Sequence, residues 1–243
     1  MDLKGKTTIL FDLDETLSDH KYSLRIGLDA VKKDFPALAE EETETLMAWY
    51  QEALDQAFAR YLTGEITHEE NGREKVRLMF RKKGIAISES DVDRFLSIYR
   101  EAYRSDRRAT LGTVQTLEAL RRHGYKIGVV TNGQEAIQRE KLNEIKIENL
   151  INEIIVSETA GFSKPSPEIF DLALKKLGST REETLMVGDH IQKDIEGALS
   201  AGITAIFYAP ESKEKRVVVQ NTEIVVIQEM SEILSLLGVF SRI

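Results

Sequence analysis

Two kinds of hydrophobic period alternate along the chain. Near its start, residues 7–11 form a short apolar, β-branched run that ends at Asp12, which is typical of a buried strand with a carboxylate at its carboxyl end. From about residue 20 to residue 108 the apolar residues recur at helical spacing, interrupted near Pro36 and Gly84. The chain is therefore predicted to begin with one strand, followed by a block of four helices that contains no strand.

Beyond residue 112, short apolar runs alternate with helical periods. Strands are predicted at 126–131, 154–157, 184–187, 204–208 and 223–227, with helices between most of them and after the last one. This alternation favours an α/β fold, a doubly wound and mainly parallel sheet with helices on both faces. The helical block is then an insertion after the first strand.

Polar clusters follow the predicted strands at one edge of this sheet. In open parallel sheets, ligands bind beyond the carboxyl ends of the strands, where neighbouring loops diverge. The clusters at that edge are Asp12-Leu13-Asp14, Thr131-Asn132-Gly133, Ser163-Lys164-Pro165 and Gly188-Asp189 through Asp194. Each is weak evidence alone, because Asp and Asn are common turn residues, but four of them at consecutive strand ends favour one shared site.

These residue types suit a reaction at a phosphate ester. A carboxylate and a phosphate about 4 Å apart repel by roughly 4 kcal/mol at an effective dielectric constant of about 20, so attack requires that the repulsion be cancelled. Lys164 offers one positive charge, and the Thr131 hydroxyl and the amides of Asn132 and Gly133, at the amino end of a predicted helix, can donate hydrogen bonds to phosphoryl oxygens. Hard oxygen ligands of the kind that Mg²⁺ prefers are supplied by Asp12, Asp14 and Asp189.

The chain resembles the haloacid dehalogenase superfamily of phosphotransferases over essentially its whole length. The four motifs of that superfamily are similar, in order, to Phe11-Asp12-Leu13-Asp14-Glu15-Thr16-Leu17, Thr131-Asn132-Gly133, Lys164-Pro165 and Gly188-Asp189 through Asp194. The resemblance implies a Rossmann-like catalytic core formed by 1–17 and 107–243. It also implies that 18–106 is a helical cap, which closes over the site.

The same resemblance implies a role for each candidate residue. Asp12 would be the nucleophile that forms an aspartyl-phosphate, and Asp14 would protonate the leaving oxygen and then activate water. Asp189 would bind Mg²⁺ together with Asp12 and Asp14, while Asp194 would support the metal or the lysine from a second layer. The residues implied to hold the phosphoryl group are Thr131, Asn132 and Lys164.

Composition narrows the setting of this chemistry. The chain has 243 residues, of which 42% are hydrophobic and 30% charged, as is ordinary for a globular protein. A net charge of -8 gives no basic field for polymeric nucleic acid or a membrane surface. Without cysteine there are no disulfides, and no run approaches the roughly 20 apolar residues that span a bilayer. We expect a cytoplasmic protein that acts on a small phosphorylated metabolite; its oligomeric state has no signature in the sequence.

The substrate is the least constrained part of this prediction. The first motif, with Glu15 where many relatives have Gly, together with Gly64-Glu65-Ile66-Thr67 and Val130-Thr131-Asn132-Gly133, resembles the pyrimidine 5'-nucleotidase branch, which implies a nucleoside monophosphate. A broad sugar-phosphate phosphatase is the alternative. A haloacid dehalogenase is disfavoured by Asp14, because a departing halide needs no proton and no metal. A phosphorylated receiver module shares the clustered aspartates but is disfavoured by the helical insertion.

Overall fold

A seven-stranded sheet organises the computed structural model, which describes residues 3–239. Its strands are β1 (Thr8–Phe11), β2 (Lys126–Thr131), β3 (Glu153–Val156), β4 (Thr184–Gly188), β5 (Thr204–Tyr208), β6 (Arg216–Val219) and β7 (Thr222–Ile227). They lie in the order β3-β2-β1-β4-β5-β7-β6, and every neighbouring pair is parallel except β6 with β7. The predicted doubly wound, mainly parallel sheet is confirmed.

Helices follow β1 as a block and then alternate with the strands. The block consists of α1 (His20–Asp34), a 3₁₀ turn (Pro36–Leu38), α2 (Thr43–Leu62), α3 (His68–Lys82) and α4 (Glu89–Ser105). The later helices are α5 (Thr113–Arg122), α6 (Glu135–Glu144), a 3₁₀ turn (Glu148–Leu150), α7 (Ser157–Ala160), α8 (Pro167–Leu177), a π-helix (Ile191–Glu196), α9 (Gly197–Ser200) and α10 (Glu232–Leu236). Within residues 3–239, no helix combines the length and the apolar character that crossing a membrane requires.

Apolar side chains cover both faces of the sheet. In β1, Ile9 and Phe11 join one core cluster with α5 and α10, while Leu10 joins another with α8 and the π-helix. All three side chains are fully buried. Successive residues of a strand point to opposite faces, so a strand that is covered on both faces is a continuous apolar run. This burial explains why β1 is recognisable from the sequence.

Strand β6 is a correction to the sequence prediction, which placed no strand between the predicted strands at 204–208 and 223–227. The hairpin from β6 to β7 turns through Gln220 and Asn221, whose φ angles are 49° and 60°. Positive φ at both central residues is the geometry of the two-residue type I′ turn, whose usual sequence signal is Asn-Gly. The prediction failed because this hairpin lacks the glycine and because β6 is a short edge strand.

The described residues form two compact units. One contains the residues up to Asp19 and from Arg108 onward, and the other is His20–Arg107, called the helical unit below. The helical unit has an aromatic core of its own, in which the rings of Phe35, Phe80 and Phe95 meet edge to face with centroids 5.8 to 6.1 Å apart. The assignment of 18–106 as a catalytic cap stays a prediction.

Candidate active site

Asp12 lies directly after β1, which has β2 on one side and β4 on the other. Its backbone N–H continues the sheet by donating to the Val187 carbonyl at 3.0 Å. Burial raises the pKa of Asp12 well above its ordinary value; the ammonium of Lys164 opposes that rise, and the charges of Asp194 and Asp189 add to it. The structure therefore places the predicted nucleophile in the middle of a crowded group of charges.

Lys164 reaches this group from the loop between α7 and α8 and is buried. Its Nζ donates to Asp12 Oδ1 and, at 2.6 Å, to Asp194 Oδ1. Burial alone would lower the pKa of Lys164, but the two carboxylates raise it above its ordinary value, so the side chain is an ammonium. Asn132 fixes the loop: its Nδ2 donates to the Lys164 carbonyl at 3.0 Å, and its Oδ1 accepts from the Lys164 N–H at 2.8 Å. The Asn132 side chain thus holds the lysine loop, and the contact with phosphate stays a prediction for its amide.

Asp194 lies on the π-helix after β4, and its side chain is 1% exposed. Its second oxygen, Oδ2, accepts from the His190 N–H at 2.9 Å. Gly188 makes room for this carboxylate, because a Cβ at that position would lie 2.5 Å from the Asp194 carboxyl atoms. His190, whose role the sequence leaves open, accepts through Nδ1 from the Lys193 N–H at 3.3 Å and thereby caps the start of the π-helix.

Asp189 ends the loop after β4 and faces the same group. Thr16 Oγ1 donates to Asp189 Oδ1 at 3.1 Å, which links the first and fourth motifs. Burial raises the pKa of Asp189 to about 6, and the charge of Asp194 adds to the rise. Thr16 of the first motif therefore orients a carboxylate of the site.

The three carboxylates fit a divalent cation. One oxygen from each of Asp12, Asp189 and Asp194 lies within 4.8 Å of the others. When all three are ionised, the ammonium of Lys164 balances only one of them, and the two remaining negative charges are costly to bury. The raised pKa values of Asp12 and Asp189 express that cost. Mg²⁺ carries two positive charges and prefers oxygen ligands, so these residues suit it.

The Asp14 carboxylate is bound by α6 and is not part of that group of three. Lys141 Nζ donates to its two oxygens at 2.7 and 2.8 Å. One turn earlier on α6, Gln138 Nε2 donates to Thr131 Oγ1 at 2.7 Å and lies 3.3 Å from Asp14 Oδ2. The predicted acid and the predicted phosphate ligand are thus joined by one helix. As a metal ligand, the Asp14 side chain stays a prediction that this arrangement does not favour.

The polar residues just described fall inside a match to a known family. The sequence profile described as haloacid dehalogenase-like hydrolase matches residues 9–208, a span that contains every candidate residue from Asp12 to Asp194. The chain belongs to the haloacid dehalogenase-like hydrolase family. The family resemblance inferred from the motifs is therefore confirmed.

Individual members of this family are similar to the chain over different lengths. The glyceraldehyde 3-phosphate phosphatase of Methanopyrus kandleri is 30% identical over 201 residues, which are 82% of this chain and 82% of that protein. A pyrimidine 5'-nucleotidase of Escherichia coli is 35% identical over 105 residues, 43% of this chain and 46% of that protein. The solved structure of a HAD-hydrolase from Bacillus subtilis bound to magnesium matches with a TM-score of 0.76 over 96% of this chain and 99% of that chain. At 23% identity, that likeness shows a shared fold.

Sequence reasoning missed two residues of this family site, Gln138 and Lys141. Polar residues at helical positions normally face solvent, so nothing in the pattern singled them out. The available signal was their spacing: residues three apart share one face of a helix, and this helix follows Thr131-Asn132-Gly133 directly. Both side chains are buried against the sheet edge rather than exposed.

Proposed function

We propose that this chain is a magnesium-dependent phosphatase in which the Asp12 carboxylate attacks a small phosphate monoester. The observation that carries the proposal is the convergence of Asp12, Asp189 and Asp194 with the buried ammonium of Lys164. A bound Mg²⁺ would supply charge neutralisation between the nucleophile and the phosphate. Asp12, Asp189 and Asp194 are the residues that would hold it.

The residues then divide the reaction into two steps. An Asp12 oxygen forms a bond to phosphorus as the ester P–O bond breaks, and the leaving oxygen takes the proton of Asp14. Water, deprotonated by Asp14, attacks the aspartyl-phosphate and releases inorganic phosphate and free Asp12. Lys164, the Thr131 hydroxyl and the Asn132 N–H hold the phosphoryl oxygens in both steps. The names of the phosphatase relatives support this reaction class.

For the substrate, we propose a nucleoside monophosphate, which the similarity to a pyrimidine 5'-nucleotidase supports. A sugar phosphate is the second candidate, and one observation favours it. The alignment with the glyceraldehyde 3-phosphate phosphatase is 201 residues long, more than all the residues outside His20–Arg107 together. It therefore includes part of the helical unit, whereas the 105-residue nucleotidase alignment need not.

A dehalogenase or a receiver module fits the site less well. Dehalogenation needs neither a proton donor nor a cation, and so leaves Asp14 and the excess negative charge around Asp12 unexplained. A receiver module would be phosphorylated once for each protein molecule, whereas the proposed enzyme turns over.

A hydrolysis screen tests the function and the substrate together. Nucleoside monophosphates, glyceraldehyde 3-phosphate, glucose 6-phosphate and phosphoserine are assayed with Mg²⁺ and with excess chelator. We expect activity only with the metal, and kcat/KM at least about tenfold higher for dUMP, dTMP or UMP than for glucose 6-phosphate, a gap of roughly 1.4 kcal/mol. Full activity in chelator would contradict the metal site. A preference for sugar phosphates would reject the nucleotidase and keep the phosphatase.

A further inference from the structure

Helix α6 buries two long polar side chains on the face that it turns toward the sheet edge. Gln138 is 2% exposed and Lys141 is 6% exposed. Burying a polar group costs free energy unless hydrogen bonds offset the cost, and an apolar residue would otherwise fill such positions at lower cost. The hydrogen-bond partners of Gln138 and Lys141 therefore indicate what the two residues do.

Lys141 is paired with the predicted acid rather than with the nucleophile. Its ammonium donates to both Asp14 oxygens at 2.7 and 2.8 Å, while the Asp14 side chain is still 32% exposed. The lysine thus fixes the carboxylate from its buried side and leaves part of it open to a ligand. Contact with both oxygens also restricts the rotation of the carboxylate about its Cβ–Cγ bond.

Gln138 connects this acid to the predicted phosphate ligand. Its Nε2 lies 2.7 Å from Thr131 Oγ1, 3.3 Å from the Asn132 carbonyl and 3.3 Å from Asp14 Oδ2. A carbonyl and a carboxylate only accept, so the nitrogen and not the oxygen of the amide must face them. Thr131 Oγ1 therefore accepts from Gln138 Nε2. The hydroxyl hydrogen of Thr131 is then directed to another acceptor, and a phosphoryl oxygen would be such an acceptor.

The glycine of the second motif makes this contact possible. A Cβ on Gly133 would lie 3.0 Å from Gln138 Nε2 and 3.1 Å from its amide carbon, so the amide would have to shift by a few tenths of an ångström. The same amide has a buried Oε1 for which the described residues provide no hydrogen-bond partner. In this orientation the Gln138 Nε2 donates hydrogen bonds, while the Gln138 Oε1 accepts none from the described residues.

We propose that Lys141 and Gln138 are positioning residues for phosphoryl transfer: Lys141 holds Asp14 in place for proton exchange with the leaving oxygen and with water, and Gln138 orients the Thr131 hydroxyl toward the phosphate. Neither residue binds the metal or forms a bond to phosphorus. This inference rests on the phosphatase function proposed above.

The test compares an alkyl phosphate, whose leaving oxygen needs a proton, with p-nitrophenyl phosphate, whose leaving group departs without one. For Lys141→Met we expect kcat on the best alkyl substrate of the screen to fall about 100-fold with KM changed less than about threefold, since a positioned acid contributes about 10² to 10⁴ in rate. On p-nitrophenyl phosphate the same variant should release one nitrophenol per enzyme in a burst and then turn over slowly. Lys141→Arg, which keeps the charge, should recover at least about tenfold of the loss.

Controls separate positioning from stability. Lys175→Met removes an exposed lysine from α8 and should leave the kinetics and Tm unchanged. Gln138→Leu, which suits a buried position, should lower kcat/KM about tenfold; if Lys141→Met does not fold, this variant carries the test. A folded Lys141→Met or Gln138→Leu protein with wild-type kinetics on both substrates would overturn the inference alone. A wild-type chain that hydrolyses no phosphate monoester would overturn the proposed function, and the inference with it.

Discussion

Two groups of ion pairs, one in each compact unit of the chain, differ in how deeply they are buried. In the helical unit, Arg73 and Arg77 both bind Glu89, whose side chain is 60% exposed. In the sheet unit, Lys164 binds Asp12 and Asp194, and the lysine side chain is 2% exposed. Water solvates the separated charges of an exposed pair, so that pair adds little stability, whereas breaking a buried pair leaves a charge without compensation.

The difference shows where the fold gives up stability for chemistry. The core cluster of the helical unit is apolar and aromatic, and the Glu89 carboxylate lies outside it at the surface. The sheet unit instead places charged groups where apolar residues would pack at lower cost. Such local departures from the rules of a stable core are expected at functional sites.

The largest effect on activity is expected when the proposed nucleophile, Asp12, is replaced. Asp12→Asn keeps the shape of the side chain and its place after β1 but removes the attacking charge, so turnover should fall by at least about 10⁴-fold. Steady-state hydrolysis of the best substrate measures the loss, and circular dichroism checks the fold. Asp171→Asn, which changes an exposed partner of Arg181, is the matched control and should keep full activity. Near-native activity in Asp12→Asn would rule out the covalent mechanism.

The same contrast predicts unequal losses of stability. Lys164→Met leaves Asp12 and Asp194 buried without their cation, so the free energy of unfolding should fall by about 3 to 5 kcal/mol in the absence of metal. Arg25→Met removes a cation of the helical unit whose side chain is 42% exposed, and its effect should stay within experimental error. Urea unfolding of both variants at pH 7 measures the difference. Equal losses would mean that burial does not separate the two kinds of pair.

Metal-free protein should show opposite pH dependences for two carboxylates. Burial raises the pKa of Asp189 from 3.8 to about 6, so the stability that it contributes is present below about pH 4 and is lost as the pH rises through 6. Hydrogen bonds from Arg77 and Arg73 lower the pKa of Glu89 from 4.5 to about 2, so its contribution is present above pH 4.5 and is lost as the pH falls toward 2.

Thermal unfolding between pH 2 and pH 7, with chelator, measures both contributions against the wild-type chain. Asp189→Asn should gain Tm relative to the wild type between pH 4 and pH 6, and Glu89→Gln should be the less stable protein above pH 4.5 only. Added Mg²⁺ should reduce the first difference, because a cation favours the ionised Asp189. If the difference in Tm between the wild type and Asp189→Asn did not change with pH, burial would not raise the pKa of Asp189 in the folded protein.

The sequence predicted the elements that position the site better than the contacts within it. Asp12 and Asp189 were recognisable because they directly follow strands whose carboxyl ends lie at one edge of a sheet, whereas Lys164 depended on the resemblance of its motif. The predicted contact of the Asn132 amide with phosphate stays a prediction, and the binding of the Asn132 side chain to the backbone of Lys164 was not foreseen. Such contacts between loops depend on how two segments that are distant in sequence pack together. Neither hydrophobic periodicity nor motif spacing indicates that packing.

Contacts made by helices were the hardest to foresee. Lys141 and Asp14 are 127 positions apart along the chain, and their pairing depends on the packing of α6 beside the end of β1. A polar residue on a helix is interpreted as solvent-facing unless a partner is known, and the partner here lies in another motif. Edge strand β6 was missed for a related reason, because its turn has the conformation of an Asn-Gly hairpin without the glycine.

Apart from the controls, the smallest effect is expected at an exposed charge of the sheet unit, Lys146, just after the helix that carries Gln138 and Lys141. Two residues after α6, Lys146 has a φ of 61°, and the Ile147 N–H donates to the Leu142 carbonyl at 3.0 Å, the closure that usually places glycine at the position of Lys146. Because a side chain is strained there, Lys146→Gly should raise the free energy of unfolding by about 0.5 to 1 kcal/mol and Tm by about 1 to 3 °C. Lys146→Ala removes the same charge but keeps the Cβ, so it should give no gain. A gain from alanine equal to that from glycine would assign the effect to the charge, and would show that exposed charges matter more in this unit than in the helical one.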